Sequence, residues 1–241
     1  MKKLAAFFTP FIAGSLAVLL FSCNSGGGDK DDKKGTDTSV VQKTTTPVFT
    51  PYNVMLIEHQ VKDFDTWKGG YLAHDSMRQA YGITQGSLGR GLEDPNTVVV
   101  VSKISDIAKA KEFASSPDLK EAMEKAGVVG KPTISYIHVL RNDSSRIQIK
   151  ERMIVSHKVK DFDAWLKVYD NGEGVTKRAE YGMIDRGLAR GVDDPNMVYV
   201  VFAISDMAKA KARGQSPELK KLMQDAGVLG EPKIFMYSLV Q

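Results

Sequence analysis

One cysteine, Cys23, occurs in 241 residues. No intrachain disulfide can form, and no cysteine-based zinc or iron–sulfur site can be built. There are only four histidines, so a metal site would need carboxylates to complete its ligand set. Charge of one sign is scarce too. The formal net charge is +4, and +4 less Lys2 and Lys3 of the N-terminal leader is +2. So near-neutral a balance does not suggest nucleic-acid binding, which usually needs a basic face. There is no P-loop, no nucleophile elbow and no His-Glu-x-x-His, and the Gly86-Ser87-Leu88-Gly89 run is too short a signal for a phosphate loop. No metal and no cofactor is expected.

What is present begins at the N-terminus. Lys2 and Lys3 form a positive start, and an apolar stretch runs from Leu4 to Phe21. This is the pattern of a secretory signal peptide. It ends in Leu20-Phe21-Ser22-Cys23, which resembles the lipobox of bacterial lipoproteins. The resemblance implies cleavage before Cys23 and acylation of its thiol. Several acyl chains give stable membrane attachment where one would not. Residues 1–22 therefore read as signal peptide and 23–51 as a lipidated disordered tether, rich in Gly, Ser, Thr and charge. The expected location is the cell envelope, on the periplasmic or surface side of a membrane, the outer membrane being favoured.

The rest of the chain repeats itself. Met55–Trp67 aligns with Met153–Trp165 at an offset of 98, sharing His-x-Val-Lys-Asp-Phe-Asp-x-Trp. From Arg78 to Leu140 the offset is 100, and 30 of 63 positions are identical to Arg178–Val240. A domain-sized period denotes duplication rather than a solenoid. The expected modules are 52–140 and 150–241, joined by a polar linker at 141–149.

Each module reads as β-α-β-β-α-β. Val54–Val61 alternates as a strand. Asp63 is a helix N-cap, followed by Phe64, Trp67 and Tyr71 at helical spacing. The helix is expected to end at Tyr81-Gly82. Strands at 84–92 and 97–103 flank the Asp94-Pro95-Asn96 turn. Ser105 is placed to cap a second helix from Asp106, and Ser116-Pro117 to restart it. A last strand is expected over Thr133–Leu140. This is the ferredoxin-like split βαβ order. With the His-x-Val-x-Asp-Phe-Asp-x-Trp, Asp-Pro-Asn and Ala-Gly-Val-x-Gly-x-Pro motifs, it resembles the dimeric α+β barrel superfamily, which includes antibiotic-biosynthesis-monooxygenase-like domains. The resemblance implies an α+β fold with two modules packed as an intrachain pseudo-dimeric barrel. That superfamily holds cofactor-free monooxygenases, haem-degrading enzymes, polyketide cyclases and non-catalytic binders, so fold alone does not choose among them.

Candidate site residues follow from the repeat. His59 and His157 recur near the end of the first strand, on its more apolar face under the helices. They are candidate ligand contacts or general bases, against core packing beside Trp67 and Trp165. Those tryptophans, with Tyr71 and Tyr169, are candidate cavity or core aromatics. Arg90 and Arg190 alternate with small residues: Ser87, Gly89 and Gly91, then Gly187, Ala189 and Gly191. If the small residues admit a helix, the arginines face the space between the sheets and could hold an anion there. The competing reading is a rim salt bridge. Arg78 and Arg178 read as helix surface, and Lys109, Lys111, Lys209 and Lys211 as a solvated face. Asp94 and Asp194 read as turn formers. His74 and His138 have no counterpart in the other repeat.

The expected function is small-molecule binding in the barrel cavity by a membrane-anchored lipoprotein. The alternatives are a cofactor-independent, monooxygenase-like enzyme with a strand histidine as base, or a cell-surface protein-interaction module.

Overall fold

The computed structural model describes residues 49–240; the expected signal peptide, Cys23 and nearly all of the expected tether lie outside them. Among the described residues, no helix is long and apolar enough to cross a membrane.

The first repeat contributes β1 (Tyr52–Val61), α1 (Phe64–Ala73), α2 (Asp75–Ala80), β2 (Ile83–Gly91), β3 (Thr97–Ile104), α3 (Ile107–Ser115), α4 (Pro117–Lys125) and β4 (Val128–Asn142). The second contributes β5 (Glu151–Val159), α5 (Phe162–Tyr169), α6 (Gly172–Glu180), β6 (Met183–Gly191), β7 (Met197–Ile204), α7 (Met207–Gly214), α8 (Pro217–Asp225) and β8 (Val228–Leu239). The fold is α+β, two ferredoxin-like modules forming one closed antiparallel barrel in the order β1-β3-β2-β8-β5-β7-β6-β4. Each module supplies four adjacent strands. Two seams close the ring, β2 on β8 and β4 on β6. Closure leaves no free strand edge.

The recurring motifs are corners of this framework. In His-x-Val-x-Asp-Phe-Asp-x-Trp, the strand ends at Val61. Asp63 then caps α1 by accepting from Thr66 N at 2.8 Å, and Asp161 caps α5 from Ala164 N at 2.7 Å. Phe64 and Trp67 lie buried beneath the helix. The Asp-Pro-Asn turn docks the end of the first strand. Asn96 O accepts from Val61 N at 2.9 Å, and Asn196 O from Val159 N at 2.9 Å. Gly127 and Gly227 end their helices with φ of 78° and 81°, a region costly for any residue with a Cβ.

Several elements depart from expectation. The first helix is broken at His74, whose Nδ1 lies 2.7 Å from Gly70 O, a carbonyl freed at the end of α1. Asp106, not Ser105, caps α3, accepting from Lys109 N at 3.0 Å. Ser105 Oγ instead donates to Gly82 O. The last strand is longer than expected, running from Val128 to Asn142. Its first residues pair with the end of β1 across a register shift at Glu58/Gln60. Its final residues reach the other module. Leu140 packs in the second module's core and Val240 in the first module's.

The sheet has two faces. The inner face fills the barrel with side chains, among them Val54, Ile137 and Tyr199, then Val99, Ile154 and Tyr237. The outer face packs against the helices, through Val61, Trp67, Leu88 and Val100 in the first module and Val159, Trp165, Leu188 and Val200 in the second.

Candidate functional site

Strand alternation decides which groups can meet. On β1, Met55, Ile57, His59 and Val61 share the outer face, under the helices. His59 and His157 are 9% and 7% exposed, and neither ring nitrogen of either one has a hydrogen-bond partner. Burial pushes both imidazoles down to about 4. Both are therefore neutral at pH 7, and their conjugate acids are too strong for an effective general base there. Neither has a carboxylate to orient it.

Each histidine starts an aromatic stack that runs outward. His59 meets Trp67 edge to face, with centroids 5.2 Å apart. Trp67 stacks on Tyr71 at 5.2 Å, and the Arg78 guanidinium lies 3.8 Å over the Tyr71 ring. The second repeat builds the same ladder from His157, Trp165, Tyr169 and Arg178, with spacings of 5.5, 4.8 and 3.9 Å. Burial, aided by Asp185, pushes the Tyr169 phenol up. Arg78 and Arg178 thus do not cover a helix surface as expected. Arg78 is 4% exposed and donates to Tyr71 O at 2.6 Å, and Arg178 donates to Tyr169 O at 2.9 Å. Their recurrence behind the same tyrosine was the signal that could have revealed this.

The expected orientation of Arg90 and Arg190 is corrected. They lie on the outer face, not between the sheets. Arg90 sits 4.6 Å over the Phe64 ring and donates from Nε to Pro95 O at 2.6 Å; Arg190 sits 5.2 Å over Phe162. Gly89 and Ala189 face inward instead. A Cβ on Gly89 would run into the Tyr237 ring and Val99 inside the barrel. The glycine admits a tyrosine from the other module, not a helix. The two arginines belong to separate corners and line neither cavity described below.

The expectation of a cavity between the sheets is also corrected. The two cavities of note lie outside the barrel wall, between sheet and helices, one per repeat. In the first repeat, Phe113, Tyr71 and Trp67 leave about 80 Å³ beside His59. In the second, the corresponding space is about 800 Å³. It runs beneath α5–α8, with His157, Trp165 and Phe202 in its wall and Lys177 and Arg213 among its polar residues. Exposed Leu222 and Ile234 also line it. The Glu93-Asp94 turn of the first module contributes as well, so both repeats build the one large cavity.

Comparing the repeats shows why they differ. Phe113 is 3% exposed and fills the first module's outer core with Met55, Ile83 and Met77. The matching positions hold Arg213 for Phe113 and Lys177 for Met77. Two apolar plugs have become two long cations. This difference was visible in the aligned repeats, though not its consequence.

No protein-family model matches the chain, and no curated protein matches it. Solved structures do. A Fusobacterium nucleatum protein provisionally described as a monooxygenase is similar over 79% of this chain and 93% of its own, at 14% identity and a TM-score of 0.50. An anthrone oxidase-like protein is similar over 79% and 92%, at 12% identity and a TM-score of 0.50. A Listeria monocytogenes ferredoxin-fold protein related to antibiotic biosynthesis monooxygenases covers 80% and 97%, at 11% identity and a TM-score of 0.44. At these identities the likeness is one of fold, and chemistry has to be argued from the site.

Proposed function

We propose that this chain is a small-molecule-binding protein of the bacterial envelope, with its ligand in the cavity between the second module's sheet and α5–α8. The observation that carries the reading is the contrast between repeats. A volume of about 800 Å³, walled mainly by apolar side chains, stands where the first repeat is filled to about 80 Å³. Ligand pockets span roughly 300–1,000 Å³ and combine apolar walls with a few polar groups. Apolar walls left without contacts are a stability cost, which a ligand would offset.

The test is to give the second repeat the first repeat's plugs. The neutral fluorescent probe N-phenyl-1-naphthylamine should bind the full chain saturably at one site. Arg213→Phe with Lys177→Met should abolish that binding and raise unfolding stability by about 1–2 kcal/mol, from the buried ring and thioether. Saturable binding untouched by the double substitution would place the probe elsewhere and overturn the reading.

Attachment to the membrane is part of the proposal. It is supported by Lys2-Lys3, the apolar run and Leu20-Phe21-Ser22-Cys23. Cells fed radiolabelled palmitate should label the wild-type chain, and Cys23→Ser should remove the label and release the protein from the membrane fraction. A labelled Cys23→Ser protein would refute the assignment.

A further inference from the structure

We propose that the ligand of the large cavity is an amphipathic anion, with its apolar body along the sheet and a carboxylate, sulfate or phosphate at Arg213. This rests on the binding reading above and names the chemistry of that same site.

The first repeat serves as an internal control. Phe113 packs on Tyr81 with ring centroids 5.4 Å apart. Arg213 takes the matching place, its guanidinium carbon 5.3 Å from the Tyr181 ring centre. The contact with tyrosine is kept, but a neutral ring is exchanged for a cation. Small neutral residues would have opened the same space without bringing charge to an apolar wall. A cation partly withdrawn from water gains most from an anionic partner.

The other charges at this cavity, Glu173 apart, are already engaged. Arg178 is held by Asp185 in two hydrogen bonds, at 2.9 and 2.8 Å, and donates to Tyr169 O. Lys177 pairs with Glu180 at 2.9 Å, and Lys211 faces Glu93 at 3.9 Å. Glu231 faces Lys220 at 3.7 Å, and Asp94 is bound into its own turn by Asn96 N and Thr97 Oγ1. Glu173 is exposed in the first turn of α6. Arg213 is half-buried and donates only to Ser216 Oγ, at 3.3 Å, with no carboxylate partner among the described residues. A guanidinium has five N–H donors in a planar fork suited to an oxyanion. His157 adds an unpartnered, neutral imidazole in the buried wall. Its ring nitrogens are buried away from the cavity surface, so it brings no competing charge there.

A matched pair of brominated ligands tests this in the full chain. Bromine quenches indole fluorescence at short range, and the chain has two tryptophans, of which Trp165 lines the large cavity. Trp67→Phe and Trp165→Phe variants assign the signal. We expect 12-bromododecanoate to quench Trp165 at a concentration about tenfold or more below that needed by 12-bromododecanol, as a charge-assisted bond worth more than about 1.4 kcal/mol requires. Arg213→Gln should bring the two within about twofold, and Arg213→Lys should keep part of the gap. Raising salt from about 50 to 500 mM should narrow the gap in the wild type, through screening of a partly exposed pair. That measurement needs no variant to fold. Equal quenching by acid and alcohol would overturn the anion assignment while leaving the cavity as a binding site. A gap that persists in Arg213→Gln would overturn the role of Arg213. Failure of both ligands to quench Trp165 would overturn the binding reading itself.

Discussion

His59 and His157 are buried without hydrogen bonds in the same place in both repeats, and this has a consequence for stability. Each imidazole has a folded pKa of about 4, lowered by burial from an ordinary value near 6.5. Between those values the unfolded chain binds more protons than the folded one. The stabilisation is therefore complete above pH 6.5 and is lost as pH falls toward 4. Each histidine is expected to contribute a loss of about 3 kcal/mol over that range. Urea unfolding followed from pH 7 to 4 should show this fall, and His59→Gln with His157→Gln should flatten it. An unchanged slope would mean that both rings accept protons without unfolding. Alternation alone was enough to place these rings under the helices, because β1 carries Met55, Ile57 and Val61 on the same side. Arg90 was not legible in the same way. Its small neighbours fit either a helix or a tyrosine, and the tyrosine that decides, Tyr237, lies far along the chain in the other repeat.

At the level of elements, some helix starts were more legible than helix interiors. Asp63 and Ser116 announce helix starts by their own side-chain chemistry, and both accept the expected backbone N–H. The break at His74 depends on a contact with Gly70 that no local pattern announces. The seams were least legible, because register across them depends on pairs remote in sequence. At one seam Gly89 makes room for Tyr237; at the other, Ala189 and Ile137 occupy the matching positions within one cluster. These are two solutions to one volume. Gly89→Ala should cost about 1–3 kcal/mol, the usual penalty of overpacking. Adding Tyr237→Ile, which reproduces the pair at the other seam, should recover most of it. A double-mutant cycle in denaturant measures the coupling, and additive costs would show that the two residues do not compete for space.

For the whole molecule, duplication has allowed the halves to diverge. Sequence showed the repeat and its strand order; it did not show that only one of two equivalent spaces stays open, because that depends on what Phe113 and Met77 fill together. The seams carry the same asymmetry. Residues 49–148 alone present β2 and β4 as edges, and pairing with a second copy would set Gly89 against Ile137, which fits. Residues 149–240 paired with themselves would set Ala189 against Tyr237, where space for a Cβ is lacking. Sedimentation equilibrium should find the first half dimeric. The second half should associate at least tenfold more weakly, at about 1–3 kcal/mol per seam, and Ala189→Gly should strengthen it. Equal association of both halves would contradict the packing argument. The position of β1 has one more consequence. The segment that leads to the proposed lipid enters the barrel through this strand, which is hydrogen-bonded on both flanks, to β3 and to β4. A pull from the membrane would load two antiparallel ladders lengthwise, in shear, so that many bonds must yield together rather than peel one at a time. Under the proposed lipidation, the chain would be tied to its anchor at a point built to bear tension.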